Sequence, residues 1–427
     1  MVKGYKNYSR SRVLAQLELN QDLSDLTQGL KFSAMMNTNR NSFFDVSRQY
    51  SPFYYQATDY DPATDQYKLI ALNPDSGTEN LGNPTGGEKT ISSSFYLETR
   101  LLYNREFNKK NQVSGLMVFR MQDRLESDFT SLQTSLPFRN MGISGRATYS
   151  YDNRYFVEFN FGYNGSERFH ESKRFGFFPS AGAGWTISNE KFWEPYKSIV
   201  NNLRLRATYG LVGNDGIGAA TDRFFYLSEV NLNDSGRAAS FGIDNGYSKS
   251  GVRVSRYANP DITWEIAEKA NIALEMSLFN KINIAAEYFT EHRSNILMDR
   301  TAIPTTMGLQ TTIKANLGEA SGRGVDLSAD FHHNWKNGMW ITARGNFTYA
   351  TNKYEVFEEP DYDEYWRSRI GKSIQQTYGY VAERLFVDDA EAQNSPKQNF
   401  GGTKVGGGDI KYTDINNDGE ITEADKV

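Results

Sequence analysis

Apolar and polar side chains alternate along segments of about ten residues through most of the chain, a period of two that predicts half-solvated β-strands. Over 154–164, Tyr155, Val157, Phe159, Phe161 and Tyr163 share one face, and Glu158, Asn160, Gly162 and Asn164 the other. Leu203, Leu205, Ala207, Tyr209 and Leu211 alternate in the same way with Arg204, Arg206, Thr208 and Gly210. So do Val325, Leu327, Ala329 and Phe331 with Asp326, Ser328, Asp330 and His332. Strands of a soluble sandwich are mostly about five or six residues long, whereas a tilted strand crossing a bilayer takes about nine to eleven. The length favours a membrane barrel.

The pattern predicts strands over 11–22, 30–38, 92–107, 112–126, 138–150, 154–165, 175–187, 202–211, 268–279, 282–293, 311–318, 323–334 and 338–350. Some connections are tight and rich in turn residues: Asn108-Lys109-Lys110-Asn111, Tyr151-Asp152-Asn153-Arg154, Asn280-Lys281 and 334–338. Others are long, at 39–91, 127–137, 166–174, 212–267, 294–310 and from 351 onward. Short and long alternate in order, as in a barrel with small periplasmic turns and large outer loops. The expected fold is therefore all-β, an antiparallel up-and-down transmembrane β-barrel with long extracellular loops. Strands and outer loops occupy 1–350, and an extracellular loop region occupies 351–427. One inner connection, 189–201, exceeds a hairpin turn and suits a helical turn with Asn189 as N-cap.

Composition changes the picture in one respect. Among 427 residues there are 27 Phe, 26 Tyr and 6 Trp, yet mean hydropathy is negative. A wet lumen lining half of each strand, polar loops and aromatic girdles at the headgroups reconcile the two. No run of about eighteen apolar residues exists, which excludes helical spans. A net charge of -5 without a basic block gives no nucleic-acid footprint, and 0 Cys rules out disulfides and thiolate metal sites. The opening MVKGYKNYSRSRV lacks the parts of a signal peptide, and Val427 follows a loop motif directly, so the chain reads as an interior fragment.

The sharpest local chemistry is DINNDGEITEAD at 414–425, with the oxygen spacing of a structural Ca2+ loop. Asp414, Asn416 and Asp418 take positions 1, 3 and 5, Gly419 permits the sharp turn, Glu420 offers its backbone carbonyl, and Asp425 closes the set. Asp425 stands where the longer Glu is usual, a feature in which the loop resembles dockerin-type loops. The loop 360–369 gathers Tyr362, Tyr365 and Trp366 among carboxylates, a combination suited to sugar faces and equally to packing within the loop. The segment 51–60, SPFYYQATDY, carries the same ambiguity. Glu158, Arg204, Arg206, Glu275, Glu287, Asp326, Asp330 and Arg344 fall on the wet face, where a solvated wall explains them without cargo. Enzyme signatures are missing: His332 and His333 are adjacent and point to opposite faces of a strand, and GGTKVGGG at 401–408 lacks the end of a phosphate loop. Its glycines read as a flexible connection.

Several strings in order carry a family likeness: TYSYDNRYF at 148–156, GYNGSERF at 162–169, GFFPSAGAGW at 176–185, LRLRATYGLVGN at 203–214, NPDITWE at 259–265, IPTTMGL at 303–309, GEASGRGVDL at 318–327 and GDIKYTDINNDGEITEAD at 408–425. Together they resemble the barrel region of SusC/RagA-type TonB-dependent outer-membrane transporters, over most of the chain. The resemblance implies part of a 22-stranded barrel in the outer membrane, with an N-terminal plug and a SusD-like surface lipoprotein over the mouth. It implies import of oligosaccharides or peptides driven through the TonB complex. No plug, TonB box or final strands are found in this sequence. A siderophore-type receptor and a secreted, soluble β-rich adhesin or glycan-binding protein are the alternatives.

Overall fold

Residues 4–127, 132–218, 222–398, 400, 402 and 404–427 are described in the structure, a computed structural model. Parts of the 127–137 and 401–408 connections lie outside the described residues.

Twelve strands are hydrogen-bonded in one sheet in sequence order. They are β1 (Gly4–Asp22), β2 (Leu30–Gln49), β3 (Thr85–Phe107), β4 (Asn111–Glu126), β5 (Phe138–Tyr151), β6 (Tyr155–Ser166), β7 (Phe175–Thr186), β8 (Val200–Asn214), β9 (Glu265–Leu278), β10 (Ile282–Asp299), β11 (Lys314–Asn334) and β12 (Trp340–Val356). Each pair is sequential, the up-and-down order expected. By contacts the chain divides into two compact units, 1–102 with 117–143, and 103–116 with 144–427.

In the first unit β1 and β2 pair over their whole length, from Gly4↔Gln49 to Asp22↔Lys31. The sequence pattern ends β2 at 38, but the ladder continues eleven residues further. Beyond it a separate hairpin, Tyr55–Asp61 with Gln66–Ala71, stands in what reads from sequence as an irregular loop. Asp45 is almost fully buried near the outer end of β2, held by Lys6 at 2.8 Å and by the Glu88 N–H.

In the second unit the registers settle which side chains share a face. Leu205 faces Leu274, which faces Ala286, then Leu327 and Phe347. One step away, Arg206 faces Ala273, then Glu287, Asp326 and Thr348. Because the side-chain period is two, the apolar row and the charged row lie on opposite sides of the sheet. Val157, Phe159, Leu205, Ile272, Tyr288, Phe347 and Tyr349 are all exposed, a greasy band that only lipid would cover.

Three of the four tight turns are two-residue hairpins with both central residues left-handed, Asn108-Lys109, Asp152-Asn153 and Phe279-Asn280, while the fourth spans 335–339 with Gly338 left-handed. The Phe279-Asn280 turn sits one residue earlier than the sequence reading placed it. Two further expectations are corrected. The expected strands 311–318 and 323–334 are one strand, β11, beginning at Lys314, because the small residues Ala320, Ser321 and Gly322 that resemble a break are paired to both neighbours and Gly318 to β10. Asn189 is no N-cap: it ends a short 3-10 turn, Ile187–Asn189, and Glu190 precedes the next, Lys191–Tyr196.

Candidate functional site

The wet face of the second unit is an ion-pair wall. Arg206 on β8 reaches Glu275 on β9 at 3.0 Å and Glu287 on β10 at 2.6 Å. Arg204 lies 3.9 Å from Glu275 and over the Phe156 ring, Glu158 pairs with Arg146 at 2.5 Å, and Arg344 with Asp330 at 2.5 Å. Seven of the eight charges expected on this face are therefore paired with each other or with Arg146. A concave depression of about 680 Å³ lies against Glu158, Asn160, Arg204, Arg206, Thr208 and Lys269. Neutralised, half-exposed pairs of this kind make a hydrated lining, and each contributes little to stability.

The outer connections of this unit carry their own core. Phe169, Ile217, Phe225, Ile262 and Trp264 are buried together, with Phe178 and Leu297 packed against them. Trp264 meets Phe169 at 5.3 Å and Phe178 at 5.2 Å, and its indole N–H donates to the Arg174 carbonyl at 3.2 Å. Gly213 is required beneath Phe178, since a Cβ there would overlap the ring. Arg256 laces the same region, donating to the carbonyls of Arg223, Phe224 and Leu227 and pairing with Asp222, which also holds Lys314 at 2.9 Å. Asn316 donates to the carbonyls of Thr263 and Asn295. The hairpin Glu229–Phe241 with Tyr247–Arg256 projects from this knot, with Leu232, Phe241, Ile243 and Tyr247 exposed.

Beyond β12, the residues expected to meet cargo are not assembled as a platform. Trp366 donates its N–H to the Ala424 carbonyl at 2.8 Å, and Arg367 covers the Tyr362 ring at 4.3 Å. Tyr365 alone of the three is open, 82% exposed. Trp366 thus ties the 360–369 loop to the 414–425 loop. There Asp414 accepts from the Asp418 and Gly419 N–H groups, Asn416 from Asp418, and Asp418 from Glu420. Left-handed Asn417 and Gly419 allow the wrapping. Asp425 is fully buried, its oxygens accepting from Ile415 at 2.8 Å and Thr422 at 2.7 Å in a capping box. Among the described residues no three carboxylate, imidazole or thiol groups gather as a ready metal cluster. Any cation at this loop would use the side chains of Asp414, Asn416 and Asp418 and the Glu420 carbonyl, with Asp425 holding the loop closed.

Next to it, Glu391 accepts from both arms of Arg384 and from the Val387 N–H, with Lys411 at 3.4 Å. The Arg384 bond and then the Val387 bond lower its pKa to about 2 from the usual 4.5. A depressed carboxylate stabilises the fold above its unfolded pKa and loses that contribution as it is protonated. Amide protection factors over 382–398, taken against the unstructured exchange rate at each pH, are expected to be highest above pH 4.5 and to fall as pH drops toward about 2. Arg384→Ala is expected to flatten that dependence.

The family model described as TonB dependent receptor-like, β-barrel, matches residues 2–422. The chain belongs to that family. Similar curated proteins include TonB-dependent receptor P39 of Formosa agariphila, 26% identical over 77% of this chain and 33% of that protein. Another is TonB-dependent receptor SusC of Bacteroides thetaiotaomicron, 26% identical over 69% of this chain and 29% of that protein. The chain thus spans about a third of the length of these relatives. Among solved structures, the RagAB peptide importer in its closed-closed state superposes with a TM-score of 0.62 at 18% identity, covering 99% of this chain and 44% of that one.

Membership places this TonB-dependent barrel chain in the outer membrane, sets aside the soluble adhesin, and makes it no enzyme. Among the described residues no helix is long and apolar enough to cross a membrane. Sequence reasoning missed the buried loop knot. Its signal was present in NPDITWE, whose Asn259, Ile262, Thr263 and Trp264 all join loops together.

Proposed function

We propose that this chain supplies wall and outer loops of a TonB-driven importer, which takes oligosaccharides or peptides across the outer membrane with a SusD-like surface lipoprotein. The observation that carries this reading is the likeness to the RagAB peptide importer over nearly the whole chain, with SusC among the relatives. Exposed apolar side chains on the outer hairpins, Tyr55 and Tyr67 on one and Leu232, Phe241 and Tyr247 on the other, offer a lipoprotein something to cover. Tyr365 is the aromatic ring left to cargo, while Tyr362 and Trp366 hold the loop. Purification of the tagged protein from outer membranes, followed by uptake assays with labelled oligosaccharide and peptide, tests the reading. A co-purifying surface lipoprotein and uptake that stops without TonB are expected. Siderophore uptake with no lipoprotein would replace this reading with the siderophore-receptor one.

The 414–425 loop is proposed to take Ca2+ in a structural role, supported by the donor spacing and by its grip on Trp366. Calcium is expected to slow proteolysis of the 351–427 region, and replacing both Asp414 and Asp418 by Ala to remove that effect. An undiminished calcium response in the double variant would refute the assignment.

A further inference from the structure

The connection 187–199 is built unlike the other turns at its end of the sheet. Glu190 is 8% exposed, although it carries a charge. Its oxygens accept from Arg154 at 3.0 Å, from the Tyr155 hydroxyl at 2.6 Å and from the Trp185 indole at 3.2 Å. Arg154 also pairs with Asp152, Asn189 donates to the Asn153 carbonyl, and buried Ser188 donates to Asn202. Tyr155 faces Trp185, which faces Leu205, so both rings belong to the apolar side of the sheet. The carboxylate therefore fastens the connection beneath the lipid-facing band.

What this fastening holds outward is apolar. The 3-10 turn Lys191–Tyr196 leaves Phe192 60% and Tyr196 58% exposed, and Ile199 follows at 52%. The neighbouring hairpin is bonded to the same segment through the Phe279 N–H on Ile199 and the Asn280 N–H on Asn201. Its left-handed Phe279 adds a fourth exposed apolar side chain, 54% exposed. Lys191 opens the turn, and Lys197 after it is paired with Glu194 at 3.3 Å. A buried polar network that keeps four apolar side chains in the open needs an apolar neighbour on their side.

We propose that Lys191–Tyr196 is an interfacial anchor, lying in the headgroup–acyl boundary of the inner leaflet with Phe192, Tyr196, Ile199 and Phe279 against phospholipid and the Lys191 amine toward phosphate. Continuity with the lipid-facing band through Tyr155 and Trp185, together with the Lys191 amine at the start of the turn, favours lipid over a protein partner. The proposal rests on the barrel reading above, and its test separates the two.

The chain has 0 Cys, so single labels are unambiguous. Phe192→Cys, Ile199→Cys and, as a control within the sheet, Phe159→Cys are each labelled with bimane in the protein reconstituted in nanodiscs. Lipids brominated near the carboxyl end of the acyl chain are expected to remove most of the emission at 192 and 199, and aqueous iodide very little. Quenching by iodide, or by neither probe, at both positions overturns the anchor, the second outcome indicating a protein cover. If the 159 label is lipid-quenched while these are not, only the anchor fails; if 159 also escapes lipid, the barrel reading fails with it.

Discussion

Arginine at Phe159 or Leu205 is expected to block assembly into the outer membrane, whereas arginine at Asn160 or Thr208 is expected to be tolerated. The four positions lie on β6 and β8, which flank β7 in the sheet, and only the facing differs. Phe159 is paired with Ala181 and then Tyr209, and Leu205 with Leu274, all on the exposed apolar side. A guanidinium on the lipid face near the bilayer middle costs about 2–4 kcal/mol, a large share of the net stability of an ordinary domain. Asn160 and Thr208 line the hydrated depression beside Arg206, where another cation meets water and the carboxylates of Glu158, Glu275 and Glu287. Heat-modifiable mobility and the yield in purified outer membranes measure the difference. Equal loss on both faces would mean that the two sides are not lipid and water.

Phe169→Ala is expected to loosen the outer loops without preventing the wall from forming. Phe169 is 1% exposed and packs on Trp264 within a cluster drawn from four separate connections and strand ends. Removing a buried phenyl ring costs about 3–5 kcal/mol where neighbours cannot collapse into the gap, and here the neighbours are pinned by Arg256, Asn259 and Asn316. Protease added to intact cells is expected to cut within 215–264 in the variant and much less in the parent. Phe169→Leu, which keeps most of the volume, is expected to lie between them. Unchanged cleavage in Phe169→Ala would show that the cluster does not hold the loops.

The wall was legible because each lipid-crossing strand is under the same constraint at every second residue, and that constraint is local. Where it lapses, the reading lapsed too. Beyond residue 38, β2 continues to Gln49 although Phe43, Phe44 and Val46 make no sustained alternation, because its backbone ladder to β1 continues there. The small residues Ala320, Ser321 and Gly322 look like a turn, yet a strand flanked on both sides keeps its hydrogen bonds whatever side chains it carries. The loop knot was hidden for a different reason. Phe169, Ile217, Phe225, Ile262 and Trp264 are scattered over about a hundred positions, and no period links them. For the aromatic loop the residues were legible and their partners were not: Trp366 is committed to Ala424, 58 residues away, which no local pattern reveals. At 189–201 the helical turn was foreseen but its cap was not, because Glu190 is held by Tyr155 and Trp185 from two other strands and by Arg154 from a hairpin turn rather than by its own turn.

The central claim is that one side of the sheet meets lipid and the other meets water. The most direct measurement is a scan of single spin-labelled cysteines from 203 to 211 in the reconstituted protein, with collision rates for oxygen and for a water-soluble nickel chelate at each position. Oxygen contact is expected to peak at 203, 205, 207, 209 and 211, and nickel contact at 204, 206, 208 and 210. If the odd positions were shielded from both reagents, a dry protein interior would cover them and the account would be contradicted.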